Sequence, residues 1–299
     1  MTDAGKTTIA VFTKNATNPA YESFRIGADR VARAAGARTA HFVPSKPDSV
    51  DEQTAMVEQV LRERPDVVIF IPVDDVAMVE PVRKLNAAKI PVVLAGNSLP
   101  GTFVTFVGAD DVEIGYRQAR YLFDKLGGAG SIVVLEGTPV APTNRNRLLG
   151  YQRALAEYPG IQVVGWEVGN FQQPDGKRAM AKLLREHARI DALLSANDSM
   201  ALGALEALAE AGRGTTVIGI NGILDAVRKI ESGAILATVD FNMFKIGCIT
   251  THAALRHLAK QPVPEKIILP AEIIDKGNYK AWLVPVSERP CPVWADVIR

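Results

Sequence analysis

The sequence predicts an α/β fold in which parallel sheets are covered on both faces by helices. Short runs of β-branched and aliphatic residues alternate with amphipathic helical stretches along the chain. The strand runs are almost continuously apolar, as in parallel sheets that are buried on both faces. The alternation is also repeated: one series ends near 95–97, and a second runs from about 131 to 219–222. Two repeats in 299 residues indicate two domains.

The elements follow from these patterns in order along the chain. Strands are expected at 8–13, 39–43, 67–71, 92–95, 104–107, 131–135, 162–168, 192–195, 216–220, 236–239 and near 267–274. Helices are expected at 19–35, 50–64, 76–88, 111–126, 145–158, 177–187, 199–211, 224–232 and 242–258. Asn18-Pro19 supplies a cap and a proline for the first helix, and Gly36 and Gly212 follow helix ends.

Composition excludes several function classes. The net charge is +1 with no basic stripe, so we expect no nucleic-acid partner. No apolar run approaches the ~20 residues of a membrane span. The first residues carry no charged-then-apolar signal segment, so the chain is either cytosolic or an exported protein whose signal has been removed.

Chemical motifs for catalysis or metal binding are not found in the sequence. Cys248 and Cys291 lie in no Cys-x-x-Cys or Cys/His cluster, so we expect no zinc or redox site. A free apolar thiol is favoured for Cys248, with a Cys248–Cys291 disulfide left open. There is no Gly-x-Ser-x-Gly elbow and no nucleophile with a partner base. Asp110-Asp111 is interpreted as a loop pair, and we expect no catalytic residue, metal or cofactor.

The stretch from Ser195 to Ala204 is the most informative segment. An apolar strand run ends where an Ala/Leu-rich helix begins, and Asn197 and Asp198 lie at that junction. One of them caps the helix, but two polar groups exceed what a cap requires. Open α/β sheets bind small ligands just outside the carboxyl ends of their strands. The junction therefore predicts a binding residue at Asn197.

Several segments, in this order, resemble the type I periplasmic sugar-binding proteins of ABC transporters, of the ribose-binding kind. They are Ile9-Ala10-Val11, Asn18-Pro19, Val92 to Asn97, Glu136-Gly137, Arg145 to Tyr151, Asn197 to Ala204, Ile218 to Gly222 and Ala237-Thr238-Val239. The resemblance covers about 8–277. It implies two doubly wound parallel-sheet lobes joined by three hinge strands, with a ligand held between them. We expect 1–109 with 242–271 in the N-terminal lobe and 110–241 with 272–299 in the C-terminal lobe.

The resemblance also implies the binding positions. They are Lys14, Asn18, Ala20, Tyr21, Gly96, Asn97, Arg147, Phe171, Asn197, Asn221 and Phe241. Five departures from the ribose-binding members of the family mean that the resemblance does not give the ligand's identity. Gly96-Asn97 replaces an Asp-Arg pair, Asn221 an Asp, Phe241 a Gln, Lys14 a Ser, and Ala20 one of two adjacent aromatic residues.

These side chains favour a neutral sugar or polyol. An amide both donates and accepts hydrogen bonds, as a hydroxyl does, and aromatic rings stack on sugar faces. Lys14 requires a partner in a site that excludes water. If Asp240 is that partner, the ligand is neutral; if the ligand is the partner, it is a sugar acid or phosphate. We favour the neutral ligand, and include Asp240 in the site.

The expected function is to carry this carbohydrate to the membrane permease of an ABC transporter. The protein would act as a periplasmic monomer, make no covalent change and close about a hinge. Two alternatives stay open: the effector-binding core of a lac-repressor-type regulator, and an α/β enzyme. The tail at 278–299 is expected to be an extended strap packed on one lobe by its tryptophans, or a docking surface.

Overall fold

The computed structural model describes residues 7–298 and divides the chain into two compact units. Unit 1 comprises 7–109, Asn242–Leu269 and 286–298. Unit 2 comprises Asp110–Phe241 and Pro270–Pro285. Among residues 7–298, no helix is both long enough and apolar enough to cross a membrane.

Unit 1 is a parallel sheet with helices packed on it. Its elements are β1 (Thr8–Phe12), α1 (Pro19–Ala34), β2 (Arg38–Phe42), α2 (Val50–Glu63), β3 (Val67–Phe70), α3 (Val79–Ala87), β4 (Val92–Ala95), β5 (Phe106–Gly108), α9 (Met243–Leu258), β11 (Lys266–Ile268) and α10 (Trp294–Val297). The strand order is β11-β5-β4-β3-β1-β2, and the paired strands run parallel. Strands β3 and β4 are buried along their whole length, as their continuous apolar runs predict.

Unit 2 repeats this plan. Its elements are α4 (Asp111–Lys125), β6 (Ala129–Glu136), α5 (Pro142–Glu157), β7 (Gly160–Val168), α6 (Gln173–Glu186), β8 (Ala192–Ser195), α7 (Asp198–Glu210), β9 (Thr216–Ile220), α8 (Leu224–Ser232), β10 (Ala237–Asp240) and β12 (Glu272–Asp275). The strand order is β12-β10-β9-β8-β6-β7, and β12 runs antiparallel to β10. The predicted α/β class with two parallel-sheet lobes is confirmed.

Element boundaries differ from the predictions where proline begins or ends an element. Helices α5 and α6 begin before their predicted first residues, because Pro142 and Pro174 lie in their first turns, where a missing N–H costs nothing. The late strand predicted near 267–274 is two strands, one in each sheet. Pro270 has no N–H to continue the first of them, and the chain passes there from unit 1 to unit 2.

The tail lies on both units rather than on one. The expectation that 272–299 belongs wholly to the C-terminal lobe is wrong for 286–298, which pack on unit 1. Val286 contacts the cluster of Val31 and Phe244 there. The Arg30 guanidinium donates hydrogen bonds to the carbonyls of Ser287 and Arg289. The two tail tryptophans also separate: Trp282 packs in unit 2, and Trp294 lies by Arg256 of unit 1.

The favoured free thiol at Cys248 is also wrong. Cys248 of α9 is bonded to Cys291 of the tail, 43 residues away in sequence. The tail segment runs against α1 and α9 and so brings the two sulfurs together. Two cysteines far apart in the sequence have no characteristic spacing, so the sequence alone could not decide whether they form a disulfide.

Replacing both cysteines by alanine should destabilise the protein by about 3 kcal/mol, because the disulfide restricts the unfolded chain over a long loop. Urea unfolding of the oxidised wild type and of the double variant would measure the difference in free energy of unfolding. Wild type treated with reductant serves as the matched control. Equal unfolding midpoints for oxidised and reduced wild type would contradict the expectation.

Candidate ligand-binding site

In unit 1, the predicted site residues follow two strands at one edge of the sheet. Lys14 follows β1, and Asn97 follows β4. The carboxyl ends of parallel strands share an edge, so both residues lie there. Gly96 adopts a φ of +64°, which turns the chain after Ala95, and Asn97 is buried. Their position at strand ends agrees with the sequence analysis, and ligand contact stays a prediction.

Asn18 is the N-cap of α1. Its Oδ1 accepts a hydrogen bond from the Ala20 N–H at 3.0 Å, and Pro19 occupies the first turn. Its own N–H donates to Asn15 Oδ1 at 3.0 Å. Tyr21 follows in the first turn and is half-buried. The cap occupies the amide oxygen of Asn18, so any ligand contact would come mainly from the amide nitrogen.

Lys14 is a buried cation with a carboxyl group nearby in the same unit. Lys14 is only 3% exposed. Burial raises the pKa of Asp48, and the positive charge of Lys14 opposes that rise. Asn15 Nδ2 also donates to Asp48 Oδ1 at 3.5 Å. The sequence analysis missed Asp48 because no spacing links it to Lys14, and the pairing of Lys14 with Asp240 stays a prediction.

In unit 2, Arg147 joins three segments at the carboxyl ends of the strands. Its Nε donates to Asp111 Oδ1 at 3.0 Å, and both side chains are largely buried. Its NH1 donates to the Ala196 carbonyl at 2.6 Å, just after β8. The guanidinium also lies over the Phe241 ring, 5.3 Å from the centroid, just after β10. Arg147 is therefore already neutralised within its own unit.

The interpretation of Asp110-Asp111 as a loop pair is wrong. Asp110 caps α4 through its side chain, and Asp111 is the counter-charge of Arg147. Close packing of α4 on α5 brings the pair together. A Cβ on Gly115 would lie 2.3 Å from the Arg147 carbonyl oxygen, and one on Gly150 would lie 2.2 Å from α4 backbone. This glycine pair, one in each helix, is the signal that could have found Asp111.

Phe171 is held in a strained loop after β7. Asn170 and Phe171 both have positive φ, +50° and +59°. Such conformations in residues other than glycine are costly and often mark functional sites. The Phe171 ring lies flat against Gly137, where a Cβ would meet the ring at 1.9 Å. Gly137 follows β6, so the ring lies at the same strand edge as Arg147.

Asn197 positions this loop as well as capping a helix. Its Oδ1 accepts from the Met200 N–H at 2.9 Å, which caps α7. Its Nδ2 donates to the Phe171 carbonyl at 3.0 Å. Most of its amide is thus engaged within the protein. The sequence predicts a ligand contact at Asn197, and its support of Phe171 was missed.

Of the predicted site amides, Asn221 is the one best placed to accept a hydrogen bond from a ligand. Its backbone has a φ of +131°, and its N–H donates to the Val239 carbonyl at 2.9 Å. Its Oδ1 is buried and has no hydrogen-bond partner among the described residues. Buried polar atoms are nearly always paired in folded proteins. The Asn221 oxygen is therefore an acceptor suited to a ligand hydroxyl.

Two carboxyl groups lie beneath this edge of the sheet. Asp198 is fully buried; it accepts from Thr238 Oγ1 at 2.7 Å and from the Ile223 N–H at 3.0 Å. Burial raises the pKa of Asp198 to about 7, and the negative charge of Asp240 adds to the rise. Asp240 ends β10, and its Oδ2 accepts from the Trp282 indole at 2.7 Å. The sequence analysis placed Trp282 in the tail without linking it to the site.

Comparisons with known proteins identify the family. A family model for a periplasmic binding protein domain matches residues 9–262. The ribose import binding protein of Bacillus subtilis is 32% identical over 267 residues, which cover 89% of this chain and 86% of that protein. The xylitol-binding protein of Mycolicibacterium smegmatis is 31% identical over 203 residues, 64% of this chain and 56% of that protein.

A solved structure gives the same result. An ABC transporter periplasmic solute-binding protein from Actinobacillus succinogenes with bound D-allose superposes with a TM-score of 0.88. The two chains are 28% identical, and the match covers 92% of this chain and all of the other. This chain belongs to the periplasmic binding protein family, and its fold is that of type I. The resemblance found in the sequence is confirmed.

Replacing Gly137 by alanine should displace the Phe171 ring. We expect a loss of about 1–3 kcal/mol in the free energy of unfolding, because the new methyl group collides with the ring. Ligand affinity should fall with it. Gly214→Ala is the matched control, since that glycine faces open space without a positive φ. Urea unfolding and ligand titration of both variants would test this; equal behaviour of the two would contradict it.

Protonation of Asp198 should make stability depend on pH. The folded protein binds this proton more tightly than the unfolded chain does, because burial raises the pKa from 3.8 to about 7. The contribution of Asp198 to the free energy of unfolding therefore falls as pH rises through that window. Relative to Asp198→Asn, wild type should lose about 2 kcal/mol between pH 5 and pH 8. Urea unfolding at both pH values measures this, and parallel pH profiles would contradict it.

Proposed function

We propose that this chain captures a small neutral carbohydrate, a sugar or a polyol, and delivers it to the permease of an ABC importer. Support comes from three relatives: two are named as binding proteins for ribose and for xylitol, and the third was solved with bound D-allose. In this proposal the ligand is released unchanged, and the protein acts as a monomer without cofactor or metal.

The observation that carries the proposal is charge compensation among the site residues. Arg147 is paired with Asp111, and Lys14 lies near Asp48. A buried cation without a counter-charge would favour an anionic ligand, whereas Arg147 is ion-paired and the charge of Lys14 acts on the buried Asp48 carboxyl. The polar groups that suit a ligand, such as the Asn221 oxygen, match hydroxyls. A neutral ligand is therefore favoured over a sugar acid or phosphate.

Binding would act by shifting a conformational equilibrium. As the type I resemblance implies, residues of both units would bind one ligand and make more contacts in a closed state. A ligand shifts such an equilibrium by its differential affinity for the two states. The permease would then recognise the closed state. Aromatic side chains such as Phe171 would supply apolar contact area on a sugar face.

The periplasm is the proposed location. The Cys248–Cys291 disulfide supports it, since disulfides form and persist in oxidising compartments and are rare in the cytosol. The relatives named as import binding proteins give independent support.

A thermal-shift screen of pentoses, hexoses, polyols, aldonic acids and sugar phosphates tests the proposal. A ligand that binds the folded state raises the unfolding temperature by mass action. We expect the largest shifts from neutral compounds, and calorimetry would then give their affinities. Larger shifts from an aldonic acid or a sugar phosphate would favour the acidic alternative.

The variant Lys14→Met separates the two ligand classes further. Under the proposal, affinity for the best neutral ligand falls, because Asp48 loses its counter-charge, but neutral ligands keep their rank above acidic ones. Calorimetric titration with one neutral sugar and its aldonic acid measures both effects. Loss of a preference for the acid in this variant would show that Lys14 binds an anionic ligand and would refute the neutral assignment.

A further inference from the structure

The tail segment that carries Trp282 is fixed within unit 2. Trp282 lies in a 3₁₀ helix at Tyr279–Leu283 that follows β12. Tyr279, Trp282 and Leu283 pack together against the core beneath α7 and α8. This packing gives the indole a defined position and direction.

The indole points its N–H at a carboxylate of the binding edge. Trp282 Nε1 donates to Asp240 Oδ2 at 2.7 Å, a short hydrogen bond to a charged acceptor. Asp240 is the last residue of β10 and is 5% exposed. The next residue, Phe241, lies under the guanidinium of Arg147. Trp282 thus connects the tail to the strand end where the predicted ligand residues of unit 2 lie.

We propose that Trp282 is a positioning residue for ligand binding. By holding one oxygen of Asp240, it orients the carboxylate to accept a hydrogen bond from a ligand hydroxyl. This inference rests on the proposed function, and it assigns a role in ligand recognition to the tail beyond the strap expected from sequence.

The indole N–H of Trp282, rather than the bulk of its ring, is the group that would orient Asp240. Buried tryptophans usually find a partner for their N–H, and a backbone carbonyl would suffice for packing. Here the partner is the Asp240 carboxylate at the end of β10. Trp282→Phe keeps most of the aromatic surface and removes the donor. Trp294→Phe is the matched control, since Trp294 lies against Arg256 and His252 in unit 1.

The experiment uses the best neutral ligand from the screen. Calorimetry should show that Trp282→Phe lowers affinity for the neutral ligand about fivefold or more, the usual effect of one lost hydrogen bond. Trp294→Phe should bind as wild type does. Asp240→Asn should lower affinity for the neutral ligand about tenfold, since it removes the charged acceptor that Trp282 orients. The double variant should lose no more affinity than Asp240→Asn alone, because Trp282 acts through Asp240.

A second measurement follows the tryptophans of the wild-type protein directly. Incorporation of 5-fluorotryptophan gives fluorine resonances for Trp166, Trp282 and Trp294, which the single Trp→Phe variants assign. Ligand should shift the Trp282 resonance and leave that of Trp294 unchanged. A tryptophan remote from the binding edge, such as Trp294, would not respond, and the affinity of Trp282→Phe separates positioning from a passive change in environment.

The outcomes separate the two proposals. If wild type binds a carbohydrate but Trp282→Phe binds it equally well and the Trp282 resonance does not move, the inference is overturned and the proposed function stands. If wild type binds no member of the panel, the proposed function fails and the inference fails with it. Additive losses in the double variant would also overturn the inference, because Trp282 would then act independently of Asp240.

Discussion

The ion pair between Arg147 and Asp111 is the interaction on which the binding edge of unit 2 depends. One guanidinium contacts the start of α4, the carbonyl after β8 and the Phe241 ring after β10. Burying two charges is costly, and removing one partner of such a pair typically costs about 3–5 kcal/mol. Loss of Asp111 would leave Arg147 uncompensated among the predicted ligand residues. The pair therefore fixes both the geometry of this edge and its neutrality.

Two of the amides predicted to bind ligand also cap helices. Asn18 and Asn197 each cap the helix that begins at a strand end. The cap fixes the side chain, so the remaining amide groups are oriented before any ligand arrives. Preorganised groups lose less entropy on binding than mobile ones do. Asn221 differs, because it caps no helix and its buried oxygen is unpaired among the described residues.

Much of this architecture could be predicted from periodicity and chain breaks. The apolar runs of β3, β4 and β8 are buried throughout, and the Asn18-Pro19 signal begins α1 as expected. What failed involves residues that are distant in sequence. Asp111 near Arg147, Asp48 near Lys14, and Trp282 on Asp240 depend on tertiary packing. Local sequence patterns do not indicate such tertiary contacts.

The tail shows the same limit. Its prolines and tryptophans indicated an extended segment, but nothing local showed that it passes back to unit 1. The position of Pro270 between two strands was visible in the sequence, yet the period of the apolar residues continued across it. Pro270, which has no N–H to continue β11, lies where the chain passes from one sheet to the other.

The disulfide has a topological consequence. The chain between Cys248 and Cys291 leaves unit 1 after Leu269, supplies β12 and the 3₁₀ helix of unit 2, and returns before Val286. The covalent ring thus includes parts of both units. A protease cut at any one peptide bond inside the ring leaves every residue attached to the same molecule. Nicked protein would keep its native connectivity and come apart only when the sulfurs are reduced.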